Sequence, residues 1–92
     1  MRFSIIIPIY NTADYLAECI ASAVGQHYDD YEVVCVDDGS TDSSAAILQH
    51  YAAQHPRIRS IRQENQGIGS ARNTGLRAAQ GDYILFLDSI TR

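Results

Sequence analysis

Residues 31–40 read YEVVCVDDGS, and this stretch decides the fold. Apolar side chains fill its middle without interruption, which is typical of a strand buried on both faces of a parallel sheet. The strand closes on two carboxylates, Asp37 and Asp38, and the Gly-Ser pair that follows predicts a turn and the start of a helix. In an open α/β sheet, ligands bind beyond the carboxyl ends of the strands. The stretch therefore predicts a parallel sheet with a site at its edge.

Three further strand-like runs end in polar groups in the same way. They are residues 4–11 (SIIIPIYN), residues 57–62 leading into QENQG at 63–67, and residues 82–88 (DYILFLD). If the strands are parallel, all these polar groups gather along one edge of one sheet. We therefore expect a binding crevice that is rich in acids and amides.

Three segments between the strands carry apolar residues at helical spacing. They are residues 13–26, capped by Thr12; residues 41–54, capped by Ser40 or Thr41; and residues 68–79, ended by a left-handed Gly81. Alternating strands and helices with right-handed crossovers predict a doubly wound α/β layer. The first, second and fourth strands are apolar throughout, which predicts burial on both faces. The third alternates and is predicted to be an edge strand.

Composition limits the classes of function. The chain has 92 residues, 46% of them hydrophobic, and a net charge of −4, which fits one globular domain or a piece of a larger one. A negative net charge argues against general nucleic-acid binding. The apolar run Ile5–Tyr10 is far below the ~20 residues of a membrane-spanning helix. Cys19 and Cys35 lie in apolar patterns without CxxC spacing, so we expect reduced, buried thiols and a cytoplasmic setting.

Several polar residues of the predicted crevice could bind a ligand. Asp38, the last residue before the glycine turn, is expected to point into the crevice and accept hydrogen bonds from a base N–H or a ribose hydroxyl. For Asp37 and Asp42, helix capping is an equally good interpretation. Asp88 either caps its strand or holds a divalent cation beside a diphosphate. Arg72, in the first turns of the third helix, either contacts a nucleotide or is solvated.

Other motifs give less support to a function. Residues 67–72 (GIGSAR) resemble the dinucleotide fingerprint, but Arg72 occupies the third glycine position and residues 63–66 separate the motif from its strand. A pyrophosphate site of that kind is therefore disfavoured. The three histidines, at positions 27, 50 and 55, have no ligand spacing, which argues against a zinc site.

Taken together, the motifs resemble the family 2 glycosyltransferases, in order and at the family's spacing. They are SIIIPIYN (4–11), VDDGSTD (36–42), NQG (65–67) with ARNTG (71–75), and FLDS (86–89). The resemblance implies a GT-A (Rossmann-like) α/β fold, with an open, mainly parallel sheet that is truncated here. It also implies inverting transfer of a sugar from a nucleoside diphosphate-sugar donor to an acceptor.

The resemblance also implies roles for individual residues. Pro8 and Tyr10 would flank the base, Asp38 would bind the nucleoside, and Arg72 would contact the nucleotide. Asp88 would open an Asp-x-Asp metal motif for Mn²⁺ or Mg²⁺.

The chain departs from the family pattern at its end, where Ile90 stands in place of the second acid of the metal motif. By the same resemblance, the acceptor half of the domain, which supplies the general base in this family, is not expected within residues 1–92. Residues 1–92 are therefore expected to be the nucleotide-sugar-binding half of a GT-A domain, inactive in isolation and without an assigned catalytic residue. The alternative is a catalytically inactive nucleotide-binding or assembly module of the same fold.

The expected partners follow from the same resemblance. They are a donor such as a UDP-sugar and a glycan, lipid or other acceptor in polysaccharide biosynthesis, with no nucleic acid. Self-association through the uncovered fourth strand is a further expectation. The expected location is the cytoplasm, or the cytoplasmic face of the membrane in a full-length form.

Overall fold

The computed structural model describes residues 2–25 and 29–87, in which strands and helices alternate. The elements are β1 (Phe3–Ile9), α1 (Ala13–Val24), β2 (Tyr31–Asp38), α2 (Ser44–Gln54), β3 (Ile58–Gln63), α3 (Ile68–Ala78) and β4 (Tyr83–Phe86). The four strands form one parallel sheet in the order β3-β2-β1-β4. The predicted parallel sheet is confirmed, and so is the edge position of β3.

Helices cover both faces of the sheet, as the doubly wound prediction requires. On one face, α1 and α2 bury side chains such as Leu16, Ile20 and Leu48 against alternate residues of β1 and β2. On the other face, α3 packs Ala71 against the intervening residues Ile6, Val34 and Val36. All eight residues of β2 are buried, because β2 is a central strand with a helix on either side.

The prediction that β4 is buried on both faces is wrong. Tyr83, Leu85 and Phe86 are 55%, 51% and 48% exposed. Of the described strands, β4 pairs only with β1, and α3 packs chiefly over β1 and β2. An apolar sequence therefore lies at a sheet edge here, where the described residues cover little of it.

The ends of the helices also differ from the predictions. Helix α2 begins at Ser44 rather than at Thr41, because the intervening residues hydrogen-bond to the loop after β1. Thr12 makes no side-chain capping bond at the start of α1; Asp42 from the next loop accepts a hydrogen bond from the first helical N–H instead. The described part of α1 ends at Val24, and Gln26 lies outside the described residues.

Gly81 is not a left-handed helix terminator. Helix α3 ends at Ala78, the C-cap residue Ala79 has extended backbone, and the described glycines with positive φ are Gly39 and Gly67. Gly81 instead lies against β1, where its N–H donates to Ser4 Oγ at 2.8 Å. A Cβ at this position would come within 2.7 Å of the β1 backbone, so close approach explains the glycine.

Candidate functional site

The carboxyl ends of the parallel strands lie at one edge of the sheet, as predicted, and three connecting loops rise from it. The chain leaves β1 toward β2 and β3, whereas β4 lies on the opposite side of β1. This reversal creates a topological switch point between β1 and β4, where ligands of open α/β sheets bind. Asn11, Asp38 and Gln63 all lie at this edge; Asp88 lies outside the described residues.

Asn11 joins the loop after β1 to the loop after β2. Its Oδ1 accepts hydrogen bonds from the backbone N–H of Thr41 at 2.7 Å and of Asp42 at 3.2 Å, and its own N–H donates to Ser40 Oγ at 3.0 Å. The backbone of Asn11 is left-handed, with φ of 49°, a conformation that asparagine tolerates better than most residues. Asn11 therefore fixes the shape of the edge.

The capping interpretation describes what Asp42 does, whereas Asp37 bonds to the turn before α2 and to Arg62 and caps no helix. Asp42 accepts from the N–H of Ser44 at 2.8 Å and of Ala13 at 3.2 Å, near the starts of α2 and α1. Partial burial opposes ionisation, but the bonds from Ser44 and Ala13 lower the pKa of Asp42 below its usual value. Asp37 accepts from the N–H of Ser40 at 2.9 Å and pairs with Arg62 at 2.6 Å.

Asp38 is 1% exposed, and its carboxylate faces the loop that leads into α3. One oxygen accepts from Gln63 Nε2 at 2.8 Å and from Gln66 N–H at 2.9 Å, and the other accepts from Gly67 N–H at 2.8 Å. Burial alone would raise the pKa of Asp38, but these three donors lower it. The group is therefore an ionised acceptor that organises the β3–α3 loop, a role that the sequence alone did not reveal.

Gly39 lets two of the edge loops pack directly together. Its φ is +73°, and a Cβ would lie 2.8 Å from the backbone nitrogen of Asn65. The Asn65 side chain donates to the Asp38 carbonyl at 3.1 Å. Both the backbone conformation and the close approach require glycine here.

The residues predicted to bind nucleotide lie on one side of the sheet. Side chains alternate along a strand, so Pro8 shares the α3 face with Ile6, and Asp38 shares it with Val36. Pro8 itself is buried. Pro8 and Asp38 therefore lie on the α3 face rather than on the α1–α2 face.

Tyr10 and Arg72 extend this surface. Tyr10 follows the end of β1 and is 38% exposed. Arg72 projects from α3, with its guanidinium carbon 6.0 Å from the ring centre of Phe86 at the end of β4. Arg72 thus lies on the β4 side of the crevice, next to the switch point.

The structure offers no ready-made metal centre within the described residues. In residues 2–25 and 29–87 there is no group of three histidine, cysteine, aspartate or glutamate side chains that could hold an ion. The oxygens of Asp37 and Asp38 already accept hydrogen bonds from protein donors. The predicted metal ligand Asp88 lies outside the described residues.

The opposite, amino edge of the sheet contains a buried acid that the sequence predictions missed. Glu32 is 2% exposed and accepts from Ser4 Oγ at 2.6 Å, Gln80 N–H at 2.7 Å and Arg59 Nη1 at 2.8 Å. Burial would raise the pKa of Glu32, but these donors lower it. A cavity of about 480 Å³ opens beside it. Two arginines line this cavity: Arg57 donates to the carbonyl of Tyr31, and Arg59 donates to the carbonyl of Ala78 at the end of α3. The hydrogen bonds around Glu32 therefore join the α3–β4 connection to the sheet.

The sheet order, the helices on both faces and the polar carboxyl edge define an open, doubly wound α/β domain with a ligand crevice. Residues 4–89 match the family model described as "Glycosyl transferase family 2". The chain belongs to this family.

Individual relatives agree with this assignment. A chondroitin synthase of Escherichia coli is 52% identical over 86 residues, which is 94% of this chain and 12% of that protein. The crystal structure of S. aureus TarS 1-349 in complex with UDP-GlcNAc superposes with a TM-score of 0.88 at 36% identity, covering 97% of this chain and 26% of that one.

A mannosyltransferase, PcManGT from Pyrobaculum calidifontis in complex with GDP-Man and Mn²⁺, gives a TM-score of 0.88 at 33% identity, over 96% of this chain and 27% of that one. The predicted GT-A fold class is confirmed. The chain spans only about an eighth to a quarter of the length of these relatives.

No helix within residues 2–25 and 29–87 combines the length and apolar character needed to cross a membrane. Both cysteines in the described part of the chain are thiols rather than halves of a disulfide; Cys35 is buried and Cys19 is partly buried. Burial, with a smaller contribution from Cys19, raises the pKa of Cys35 to about 12.

Proposed function

We propose that this chain is the donor-binding half of a glycosyltransferase domain, which binds a nucleoside diphosphate-sugar for inverting transfer of the sugar to an acceptor. The observation that carries the proposal is the gathering of Pro8, Tyr10, Asp38 and Arg72 on or beside the α3 face of the carboxyl edge. The UDP-GlcNAc and GDP-Man complexes of the two structural relatives support the same class of donor.

Each of the four residues has a chemical role in this proposal. Pro8 and Tyr10 flank the base with an apolar ring and an aromatic face. Asp38, ionised and limited to accepting, selects a base N–H or a ribose hydroxyl. Three protein donors occupy three of the roughly four lone-pair positions of the carboxylate, so a ligand donor takes the last one. Arg72 supplies a cation for the diphosphate.

A divalent cation such as Mn²⁺ or Mg²⁺ would be held by Asp88 together with oxygens of the donor diphosphate. Mg²⁺ commonly uses one or two carboxylates plus substrate phosphates, so Asp88 would be the single carboxylate ligand, in a site weakened by Ile90 in the second position. The cation would offset the charge on the diphosphate leaving group. Mn²⁺ in the complex of the mannosyltransferase relative supports this part of the proposal.

The general base of the reaction is not assigned to this chain. At the described edge, Asp37 and Asp42 accept from protein donors, and the remaining acceptor position of Asp38 is assigned to the nucleoside, so we assign none of them to an acceptor hydroxyl. We propose that the isolated chain binds donor without transferring sugar. We also propose a glycan, lipid or other acceptor, self-association through β4 and a cytoplasmic location. Ile90 favours the alternative, a nucleotide-binding module without activity.

Calorimetric titration with UDP and GDP, with and without MnCl₂, tests the proposal on the purified chain. Arg72→Ala should weaken binding of the preferred nucleotide about 10-fold or more, the scale of a hydrogen bond to a charged group. Arg77→Ala is the matched control, since Arg77 is an exposed arginine near the other end of α3, and it should change affinity less than about 2-fold. No binding of either nucleotide, or equal losses in both variants, would overturn the proposal.

A further inference from the structure

The end of β3 contains a side chain that bridges the candidate site and α3. Gln63 Nε2 donates to Asp38 Oδ1 at 2.8 Å, and Thr74 Oγ1 on α3 donates to Gln63 Oε1 at 2.6 Å. Gln63 Nε2 also lies 3.4 Å from Ser70 Oγ. The hydrogen bond between Gln63 and Asp38 is therefore part of a chain of hydrogen bonds that ends at Thr74 on α3.

The chemistry of these groups fixes the direction of the chain of hydrogen bonds. An ionised carboxylate only accepts, so the amide of Gln63 must turn its NH₂ toward Asp38 and its carbonyl toward Thr74. The hydroxyl of Thr74 then donates to that carbonyl. A reversed amide would place an oxygen against the carboxylate, which is repulsive. The carboxylate thus determines the orientation of the Gln63 amide, and Thr74 holds the amide in that orientation.

Asp38 has other partners, but they do not duplicate this one. The N–H groups of Gln66 and Gly67 belong to the loop, and they fix the loop to the carboxylate. Gln63 and Thr74 belong to β3 and α3, which are regular elements packed on the sheet. A side chain anchored by rigid elements holds its geometry better than one anchored by a loop alone.

We infer that Gln63 and Thr74 are positioning residues of the nucleotide site, which orient the Asp38 carboxylate so that its remaining lone pair faces the nucleoside. The inference rests on the proposed function, in which Asp38 accepts from the ligand. It extends the site to two residues that do not themselves touch the nucleotide.

Thr74→Val is the most selective perturbation, because it keeps the shape of the side chain and removes the donor to Gln63, together with the longer contact of 3.4 Å that Thr74 Oγ1 accepts from Arg77. UDP affinity, measured by calorimetry, should fall about 3- to 10-fold, the scale of one neutral hydrogen bond. Thr74→Ser restores the hydroxyl and should return the affinity to within about 2-fold of the unaltered chain. Ile20→Val, in the core of the opposite face, should lower the unfolding midpoint while leaving UDP affinity unchanged.

Gln63→Glu gives a readout that a purely structural role would not produce. It places a second carboxylate beside Asp38, and two acids at this distance cannot both be charged without a large penalty. UDP affinity of this variant should be weak at pH 7.5 and recover at pH 5.5, where the pair shares a proton. The terminal phosphate of UDP titrates near pH ~6 in both experiments, so the recovery is measured as the affinity of Gln63→Glu relative to that of the unaltered chain at the same pH.

The outcomes separate the two hypotheses. Loss of UDP affinity in Asp38→Asn but not in Thr74→Val or Gln63→Glu would overturn the positioning inference and leave the proposed function intact. Equal losses in Thr74→Val and Thr74→Ser would also overturn it. Absence of UDP binding by the unaltered chain would overturn both.

Discussion

Replacing Asp38 with asparagine tests whether this carboxylate organises the edge of the sheet. The variant keeps the size of the side chain and removes the charge. One oxygen now serves the two donors Gln63 and Gln66, and the new NH₂ group faces the N–H of Gly67. A donor then opposes a donor, and one charge-assisted hydrogen bond is lost outright.

The expected cost follows from this count of hydrogen bonds. One lost bond to a charged group is worth about 1.5–3 kcal/mol, and the two that remain become neutral and lose about half their strength. The free energy of unfolding should therefore fall by about 3–6 kcal/mol at pH 7. A domain of 92 residues has about 5–14 kcal/mol in total, so the loss is a large part of the stability.

The pH dependence gives a second, independent check. The pKa of Asp38 is lowered in the folded state, so its stabilising contribution is present above the usual aspartate value near 3.8 and is lost as the pH falls through the folded value. The difference in stability between the unaltered chain and Asp38→Asn should thus shrink below about pH 4.

Urea denaturation followed by circular dichroism at pH 7, 5 and 3.5 measures both effects. Asp82→Asn is the control, since Asp82 is exposed, and it should cost less than about 0.5 kcal/mol. If Asp38→Asn were as stable as the unaltered chain at pH 7, or if the difference persisted unchanged in acid, the reasoning about these three donors would be refuted.

Three further predictions concern the rest of the molecule. Glu32→Gln, at the amino edge, should lower the free energy of unfolding in urea by about 1–3 kcal/mol, because it weakens a buried charge-assisted network. UDP affinity in calorimetry should stay the same, and a change in affinity would contradict the separation of the two edges. The purified 92-residue chain should release no glycoside from a UDP-sugar beyond the background of hydrolysis, and clear transfer to an added acceptor would show that a base has been overlooked. The chain should associate with increasing concentration in sedimentation velocity, and Leu85→Lys should reduce this association; a strict monomer would show that β4 is covered in another way.

The architecture could be predicted from the sequence because three of the four strands are continuous apolar runs, the third alternates as an edge strand does, and each helix has a single apolar stripe. The parallel sheet brings Asn11, Asp38 and Gln63 to one edge for the same reason. Composition could not predict the exposure of β4, however, since an apolar strand at an edge looks like one in the centre. Burial there depends on which elements lie next to it.

The details of the site depend on contacts between residues that are far apart in the chain. Asp42 bonds to an N–H at the start of α1, 29 residues away, which shifts the capping away from Thr12. The donors to Asp38 come from 25 to 29 residues further along the chain. One signal was available: Gln63 is a polar residue at the end of β3, in register with Asp38. Glu32, a charge within an apolar strand, was another.

The location of the bound nucleotide tests the central claim most directly. Backbone amide shifts of the ¹⁵N-labelled chain can be recorded while UDP is added. The account predicts that the largest changes fall at Tyr10, Gly39, Gly67 and Arg72, around the carboxyl edge on the α3 face, and that Gln80 beside the amino-edge cavity stays unchanged. Changes concentrated at the amino edge, or no changes at saturating UDP, would contradict it.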